Sequence, residues 1–160
     1  MAKIGIITYH FVLNYGAALQ AWALQKSLEE LGHQVYLIDY RPSHLELGGE
    51  WFFPRNIKEL KSIIFILLIK FRNLVKPLYQ KKNLNNHLFC SFQDDHFNLT
   101  PTTFTNNKEL QEYDFNYDFY ICGSDQIWNS SKQYGIDRSY FLDFVKSGKT
   151  KLAYAPSFGK

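Results

Sequence analysis

The first forty-one residues constrain the fold more than any other stretch, because they read as a strand, a turn, a helix and a second strand. The run from Lys3 to Tyr9 is short and apolar, which is typical of a strand buried on both faces of a parallel sheet. Gln34 to Asp39 reads as the second strand, so the unit predicts a right-handed β-α-β crossover. Between them, small and apolar residues recur on one helical face: Ala17, Ala21, Leu24, Leu28 and Leu31.

The polar turn from His10 to Gly16 is the first candidate site, because ligands gather at the carboxyl ends of parallel strands. Gly32 fits the left-handed residue that ends many helices. The turn contains no GxGxxG pattern and no Walker lysine, so nicotinamide and ATP sites are not indicated. Asp39 is therefore interpreted as a strand-end residue that pairs with Arg41.

A chain of 160 residues with 46% hydrophobic residues has enough material for one core. We predict a single α/β domain over 1–160, a Rossmann-like parallel sheet with flanking helices, interrupted by an irregular and helical excursion at 43–112. The net charge of +3 is too small to indicate a nucleic-acid partner. Cys90 and Cys122 have no CxxC spacing and no signal peptide precedes them, so we expect a cytoplasmic location and no metal site. Cys122 reads as an inert core thiol.

The excursion contains a segment, 57–82, that combines an apolar centre with basic flanks. A loop is predicted at 43–56 and a helix at 57–75. The apolar centre is far shorter than the ~20 residues that cross a bilayer. Two interpretations stay open: a helix buried against protein, or an interfacial helix in peripheral contact with an anionic membrane surface, near a lipid-linked substrate. Residues 87–100 carry no clear pattern, whereas 105–110 reads as a helix start capped by asparagine or threonine.

Two further strands end in polar turns. Phe119 to Cys122 leads into Gly123, whose missing side chain permits a sharp turn and the close approach of a ligand. Lys151 to Ala155 leads into the small and polar turn 156–159. Because parallel strands end at one edge of a sheet, we expect these turns and the turn after the first strand to share one crevice.

Four segments, taken together, resemble the polysaccharide pyruvyl transferase family: NYGAALQAWAL at 14–24, GSDQIWN at 123–129, YFLDF at 140–144 and AYAPSFG at 153–159. The resemblance implies one half of a two-domain fold of the glycosyltransferase-B type. It implies an enzyme that moves the pyruvyl group of phosphoenolpyruvate to a sugar of a bacterial cell-surface polysaccharide as a ketal. The implied partners are a saccharide or lipid-linked saccharide acceptor and phosphoenolpyruvate, which is a co-substrate and not a cofactor.

The resemblance also implies that the chain is the amino-terminal, acceptor-side half of a longer transferase. The donor's phosphate and carboxylate need cationic groups, and the resemblance places these on the second domain. The arginines here are scattered and read as surface or structural residues: Arg41, Arg55, Arg72 and Arg138. We therefore expect the chain alone to bind sugar and to turn nothing over.

The candidate residues lie on the three turns and the start of the first helix. Asp125 is a candidate general base for a sugar hydroxyl, and His10 is a candidate acid/base or donor-phosphate contact. Each candidate has a structural alternative, such as a helix cap for Asn14, an exposed helix surface for Gln20 and a core position for Trp128. The acceptor-binding candidates offer amide, hydroxyl, aromatic or backbone groups: Asn14, Tyr15, Gly16, Gln20, Gly123, Ser124, Gln126, Trp128, Asn129 and Ser157.

Two other classes of protein fit the same element pattern. One is a self-contained flavodoxin-like or receiver-like binding module, and the other is half of a nucleotide-sugar glycosyltransferase. The first would bind a flavin or a partner, and the second would need a different donor. The four segments favour pyruvyl transfer over both.

Overall fold

The computed structural model describes residues 1–42, 45, 84–133 and 135–159. The predicted loop at 43–56, apart from Leu45, and the predicted helix and membrane contact within 57–82 therefore lie outside the described residues. The described elements, in chain order, are β1 (Lys3–Ile7), α1 (Tyr15–Glu30), β2 (Gln34–Leu37), α2 (Leu84–His96), α3 (Asn107–Glu112), β3 (Phe119–Cys122), α4 (Ser130–Gln133), a 3-10 helix (Arg138–Phe141) and β4 (Thr150–Ala153).

The four strands form one parallel sheet in the order β2-β1-β3-β4. The central strand β1 pairs on both sides, so that Ile6 lies opposite Leu37 of β2 and Ile121 of β3. The apolar side chains of β1 are almost completely buried, as expected for a strand covered on both faces. The predicted α/β architecture, a parallel sheet with flanking helices, is confirmed.

Helix α1 follows the predicted pattern except at its end. Asn14 caps the helix, because its side-chain oxygen accepts hydrogen bonds from the amides of Gly16 at 2.9 Å and Ala17 at 3.3 Å. Gly32 has the predicted left-handed conformation, with φ of +85°. The prediction that Leu31 lies on the buried face was wrong. Leu31 is 71% exposed, because the helix ends at Glu30, one residue earlier.

The core has one layer on each face of the sheet, because successive strand side chains point to opposite faces. Ile4 and Ile6 pack with α1 and with Phe89 of α2 on one face. Tyr120 and Cys122 pack on the other face with an aromatic group that includes Tyr140 and Phe144. Burial raises the pKa of the Cys122 thiol to about 11, and the residue is 3% exposed, which confirms the predicted core thiol.

Residues 87–96 of the stretch that the sequence left unassigned, 87–100, belong to α2, which contacts α1 through aromatic pairs. Tyr15 meets Phe89 edge-on with ring centres 5.6 Å apart, and Trp22 meets Phe92 at 6.1 Å. The next helix, α3, begins after Asn106, whose side chain accepts a hydrogen bond from the Glu109 amide at 3.0 Å. The predicted cap at 105–110 is thus confirmed.

Strand β4 differs from the other strands. It lies at the end of the strand order beside β3, and its four residues are all exposed. The residues that follow it include Tyr154, 57% exposed, and Phe158, 67% exposed. Across the described ranges, no helix has the length and apolar character that spanning a membrane requires.

Candidate functional site

The turns after β1, β3 and β4 meet at the carboxyl edge of the sheet, and we call them together the rim (residues 8–16, 123–129 and 154–159). The Gly123 amide donates to the Ile7 carbonyl at 3.1 Å, which ties β3 to β1. The Ser157 amide donates to the Asp125 carbonyl at 2.9 Å, and these two turns also form an isolated bridge between Asp125 and Pro156. The three turns therefore meet at one edge of the sheet, and the crevice that they were expected to share stays a prediction.

Gln20, on the first turns of α1, joins two of these turns. Its side-chain oxygen accepts hydrogen bonds from the amide and the hydroxyl of Ser124, at 3.2 and 2.6 Å. Its side-chain nitrogen donates to the Thr8 hydroxyl at 3.1 Å and to the Ala17 carbonyl at 3.0 Å. The Thr8 hydroxyl in turn donates to the Ser124 carbonyl at 2.8 Å. The alternative interpretation of Gln20 as a solvent-facing helix residue was wrong, because the side chain is partly buried and makes four bonds inside the protein.

Gly123 allows the closest approach within the rim. Its φ is +114°, and its peptide bond to Ser124 is cis. A Cβ atom at this position would collide with the carbonyl oxygen of Tyr154 in the next turn. The space that the missing side chain leaves is therefore used by the chain's own backbone, whereas the sequence had indicated a ligand there.

Asp125 has a positive φ of 85°, which is uncommon for a residue other than glycine and persists only where neighbours fix it. Here the bridge to Pro156 provides that restraint. Its Oδ1 atom accepts a hydrogen bond from the Gln126 amide at 2.6 Å, so the carboxylate is oriented by the turn itself. The side chain is partly exposed at the rim. Its contact with Gln126 belongs to the turn and is not a cap of α4.

Trp128 is partly exposed and lies among aromatic neighbours. Its ring is parallel to that of Phe141, with centres 5.0 Å apart and an angle of 7° between the planes. The ring of Phe158 lies 5.3 Å away at 49°. Phe141 and Phe158 were missed by the sequence analysis, although both lie in segments that it quoted, YFLDF and AYAPSFG. The spacing of these segments gives no sign that they meet Trp128.

The remaining polar candidates near Trp128 are Gln126, Asn129 and Ser157, and they differ in exposure. Asn129 is 5% exposed, and its side chain donates to Oε1 of Gln126 at 3.2 Å. Ser157 is exposed, and its hydroxyl accepts a hydrogen bond from the Gly159 amide at 3.0 Å. Gln126 and Ser157 therefore remain accessible to a ligand, whereas Asn129 lies beneath them.

His10 belongs to a closed cluster at the other end of the rim. Its ring is 1% exposed, with Nε2 at 2.9 Å from Oδ1 of Asp39 and Nδ1 at 3.2 Å from the Thr8 carbonyl. Asp39 also accepts from Nε of Arg41 at 2.6 Å and from the Thr103 hydroxyl at 2.6 Å, which confirms its predicted pairing with Arg41. Burial alone would raise the pKa of Asp39, but the hydrogen bonds from His10, Arg41 and Thr103 outweigh it and hold this pKa well below its usual 3.8.

The start of α1 forms the last part of the rim. Asn14 acts as the helix cap described above, with its oxygen committed to Gly16 and Ala17. Tyr15 is 57% exposed and packs edge-on against Phe89. The structure therefore brings Tyr15 and Gly16 to the rim as surface groups and gives Asn14 a structural role.

The rim contains no lysine or arginine. Of the arginines within the described ranges, Arg41 pairs with Asp39, and Arg138 pairs with Asp143 at 3.0 Å. In the same part of the chain, no three His, Cys, Asp or Glu side chains come together in a way that could hold a metal ion. The rim thus offers neutral hydrogen-bonding groups, aromatic surface and one accessible carboxylate.

A groove of about 530 Å³ opens beside the rim, between α1 and the end of the sheet. Its lining is mainly apolar and includes Leu24, Leu28, Ile121 and Leu152. Gln20 and Ser124 stand where the groove meets the rim. The groove adjoins the exposed strand β4, because Leu152 and Ala153 of that strand line it.

These features define an α/β domain whose parallel sheet carries a polar and aromatic site at its carboxyl edge. The family model for polysaccharide pyruvyl transferase matches residues 14–160, which is most of the chain. The chain belongs to the polysaccharide pyruvyl transferase family. Neither curated proteins nor solved structures gave a significant match. The matched region includes all four segments quoted for the resemblance, and family membership favours pyruvyl transfer over the flavin, receiver and nucleotide-sugar alternatives.

Proposed function

We propose that this chain forms the acceptor-side domain of a transferase that moves a pyruvyl group from phosphoenolpyruvate to a sugar of a cell-surface polysaccharide as a ketal. The observation that carries the proposal is the joining of three polar turns into one rim, in a chain of this family. In this proposal the sheet forms one wall of a cleft of the glycosyltransferase-B type, and a second domain forms the other.

The side chains of the rim are better suited to bind the acceptor sugar than to bind the donor, phosphoenolpyruvate. A sugar is neutral and is recognised by hydrogen bonds and by contact of its C–H faces with aromatic rings. Phosphoenolpyruvate carries a phosphate and a carboxylate, which are recognised best by arginine or lysine in matched geometry. Since the rim contains no lysine or arginine, we assign the donor's anionic groups to residues outside it.

The proposed reaction gives Asp125 a specific role. Two sugar hydroxyls add to C2 of the enolpyruvyl group, C3 gains a proton, and the bond from C2 to the phosphate oxygen breaks as inorganic phosphate leaves. A carboxylate beside the acceptor can take the proton of an attacking hydroxyl as a general base. The Asp125 carboxylate is partly exposed and is oriented by the Gln126 amide, which suits it to this step.

His10 receives a different proposed role from the one expected from the sequence. With 1% exposure and oxygen atoms of Asp39 and Thr8 beside its ring nitrogens, it acts as a positioning residue for the turn after β1. We place the reaction in the cytoplasm, on a free or lipid-linked saccharide, with membrane contact through 57–82 where the acceptor is lipid-linked.

A titration followed by ¹H–¹⁵N correlation spectroscopy tests this function. The whole chain is titrated with methyl β-D-galactopyranoside, methyl β-D-glucopyranoside and methyl α-D-mannopyranoside, and separately with phosphoenolpyruvate. We expect at least one glycoside to shift the backbone amides of Ser124, Asp125 and Gln126, and phosphoenolpyruvate to leave them unchanged. Amides that respond to phosphoenolpyruvate alone, or release of phosphate from it by this chain with a glycoside, would contradict the assignment of the rim to the acceptor.

A further inference from the structure

We infer that Trp128, Phe141 and Phe158, which we call the aromatic platform, form a stacking subsite for a pyranose ring of the acceptor. The inference rests on the proposed function and extends it, because it assigns Phe141 and Phe158 to the site and specifies a ring-shaped, neutral ligand. The carrying observation is that the Trp128 ring contacts both Phe141 and Phe158, while Trp128 stays partly exposed and the two phenylalanines are 40% and 67% exposed.

The platform is fixed by bonds from independent elements. The Trp128 backbone amide donates to the Ser157 carbonyl at 3.2 Å, which ties the turn after β3 to the turn after β4. The indole N–H of Trp128 donates to the Tyr140 carbonyl at 3.0 Å, which ties the same residue to the 3-10 helix. Tyr140 itself is completely buried. The indole is therefore held in one orientation before any ligand arrives, which reduces the entropy cost of binding.

The surroundings of the platform match a sugar better than an anionic or purely apolar ligand. A pyranose has C–H faces that stack on aromatic rings and an edge of hydroxyl groups that need hydrogen-bonding partners. Partly exposed polar groups, Gln126 and Ser157, adjoin the platform, and the rim supplies no lysine or arginine for a phosphate. An apolar partner would leave those polar groups unpaired on burial, which is costly.

The platform also adjoins the proposed base. Ser157 accepts through its carbonyl from Trp128 at 3.2 Å and donates through its amide to Asp125 at 2.9 Å. One residue thus links the stacking surface to the carboxylate turn. A sugar ring on the platform would therefore lie beside the turn that carries the proposed base.

The first test uses the indole N–H signals of the chain's three tryptophans, assigned with Trp22→Phe, Trp51→Phe and Trp128→Phe variants. The same three methyl glycosides are the probes, and each one that shifts the rim amides should also shift the Trp128 indole signal and leave that of Trp22 unchanged. Sorbitol, an acyclic polyol without a rigid C–H face, should leave both unchanged. Rim amides that shift while the Trp128 indole does not would overturn the platform and leave the proposed function standing. No shift at any rim residue with any of the three glycosides would overturn both.

The second test compares substitutions of exposed phenylalanines inside and outside the platform. Phe141→Ala and Phe158→Ala should each weaken glycoside binding by about three- to tenfold, because the loss of one aromatic contact changes a binding affinity by roughly this factor. Phe119→Ala is the matched control, because Phe119 is 36% exposed and lies at the amino end of β3, away from the rim. Phe158→Leu keeps an apolar side chain without a ring face and should weaken binding like alanine. Unchanged binding in Phe158→Leu, with a dispersed amide spectrum, would overturn stacking.

Discussion

The two ends of the rim lie at the same edge of one sheet and yet have opposite characters. At one end, which we call closed, His10 is 1% exposed and bonds to Asp39, a residue beside the rim that is 4% exposed. At the open end, Phe158 is 67% exposed, and Ser157 beside it is exposed as well. Polar turns at strand ends are therefore not equivalent as candidate binding sites. The polar groups of the closed end are buried and hydrogen-bonded within the fold, whereas those of the open end are accessible to a ligand.

The position of each strand in the sheet explains this difference. Strand β1 lies between β2 and β3, so the turn that follows it is surrounded by neighbouring elements. Strand β4 pairs with β3 on one side, and its residues are exposed. Histidine and aspartate are the usual candidates for acid/base chemistry in a sequence. Here His10 and Asp39 are buried, and serine, glutamine and aromatic residues form the accessible surface.

The largest effect is expected from Asp39→Asn at the closed end. Removing this charge weakens three hydrogen bonds to one buried carboxylate, those with His10, Arg41 and Thr103, and hydrogen bonds to charged groups contribute about 1.5–3 kcal/mol each. The free energy of unfolding from urea denaturation at neutral pH measures it. The control is Asp143→Asn, whose ion pair with Arg138 is exposed and should contribute less than about 1 kcal/mol. Equal losses in the two variants would mean that the closed end has no special role in stability.

Acid sensitivity sharpens the same comparison. Because folding lowers the pKa of Asp39 below its usual 3.8, the cluster stabilises the protein fully above that pH and loses its contribution as the pH falls further. Unfolding free energies measured from pH 6 down to pH 2 should therefore fall less steeply in Asp39→Asn than in the unchanged protein. Parallel curves would contradict the assigned pKa shift.

The next effect concerns the junction between β3 and β4. Gly123→Ala should destabilise the protein by about 2–5 kcal/mol, because the new Cβ meets the Tyr154 carbonyl and φ is positive. Gly148→Ala is the control, since Gly148 also has a positive φ, +86°, but open space around it. That control should lose only about 1–2 kcal/mol, the backbone contribution. A similar loss at both glycines would show that the turns are not in close contact.

A smaller loss of stability is expected from a substitution of Gln20, the residue of α1 that bonds to the turns after β1 and β3. Gln20→Leu removes the partners of Thr8 and Ser124 and should cost about 1–3 kcal/mol, the penalty for unpaired polar groups. Amide hydrogen exchange at Ser124 should become faster, because its acceptor is lost. Gln34→Leu, which removes a single side-chain bond to Tyr36, should leave exchange at Ser124 unchanged. Unchanged exchange in Gln20→Leu would show that Gln20 does not hold this turn.

The sequence was sufficient for the regular part of the fold. Burial can be predicted from the isoleucines of β1 and from the helical spacing of Ala17, Ala21 and Leu24. The parallel β-α-β unit, and the position of its turns at one edge of the sheet, therefore followed from local sequence patterns. The helix α2 was not assigned, because its mixture of aromatic and polar residues has no clear period. Its packing against α1 through Phe89 is a tertiary contact.

The details of the site depended on contacts between residues distant in sequence. Gln20 bonds to Ser124 across 104 positions, and no local spacing predicts that pairing. The contacts of Trp128 with Phe141 and Phe158 likewise depend on how the turns are placed by the sheet. His10 was a sequence candidate because histidine suits acid/base chemistry, and only its burial beside Asp39 separates it from the accessible groups.

Hydrogen–deuterium exchange of the whole chain, with and without each of the three methyl glycosides at saturating concentration, tests the contrast between the two ends most directly. We predict that at least one glycoside slows exchange in peptides covering 124–129 and 157–159 and leaves unchanged those covering 8–10 and the neighbouring residues 39–41, which lie outside the rim. Slower exchange confined to 8–10 and 39–41, or no change at either end, would contradict it.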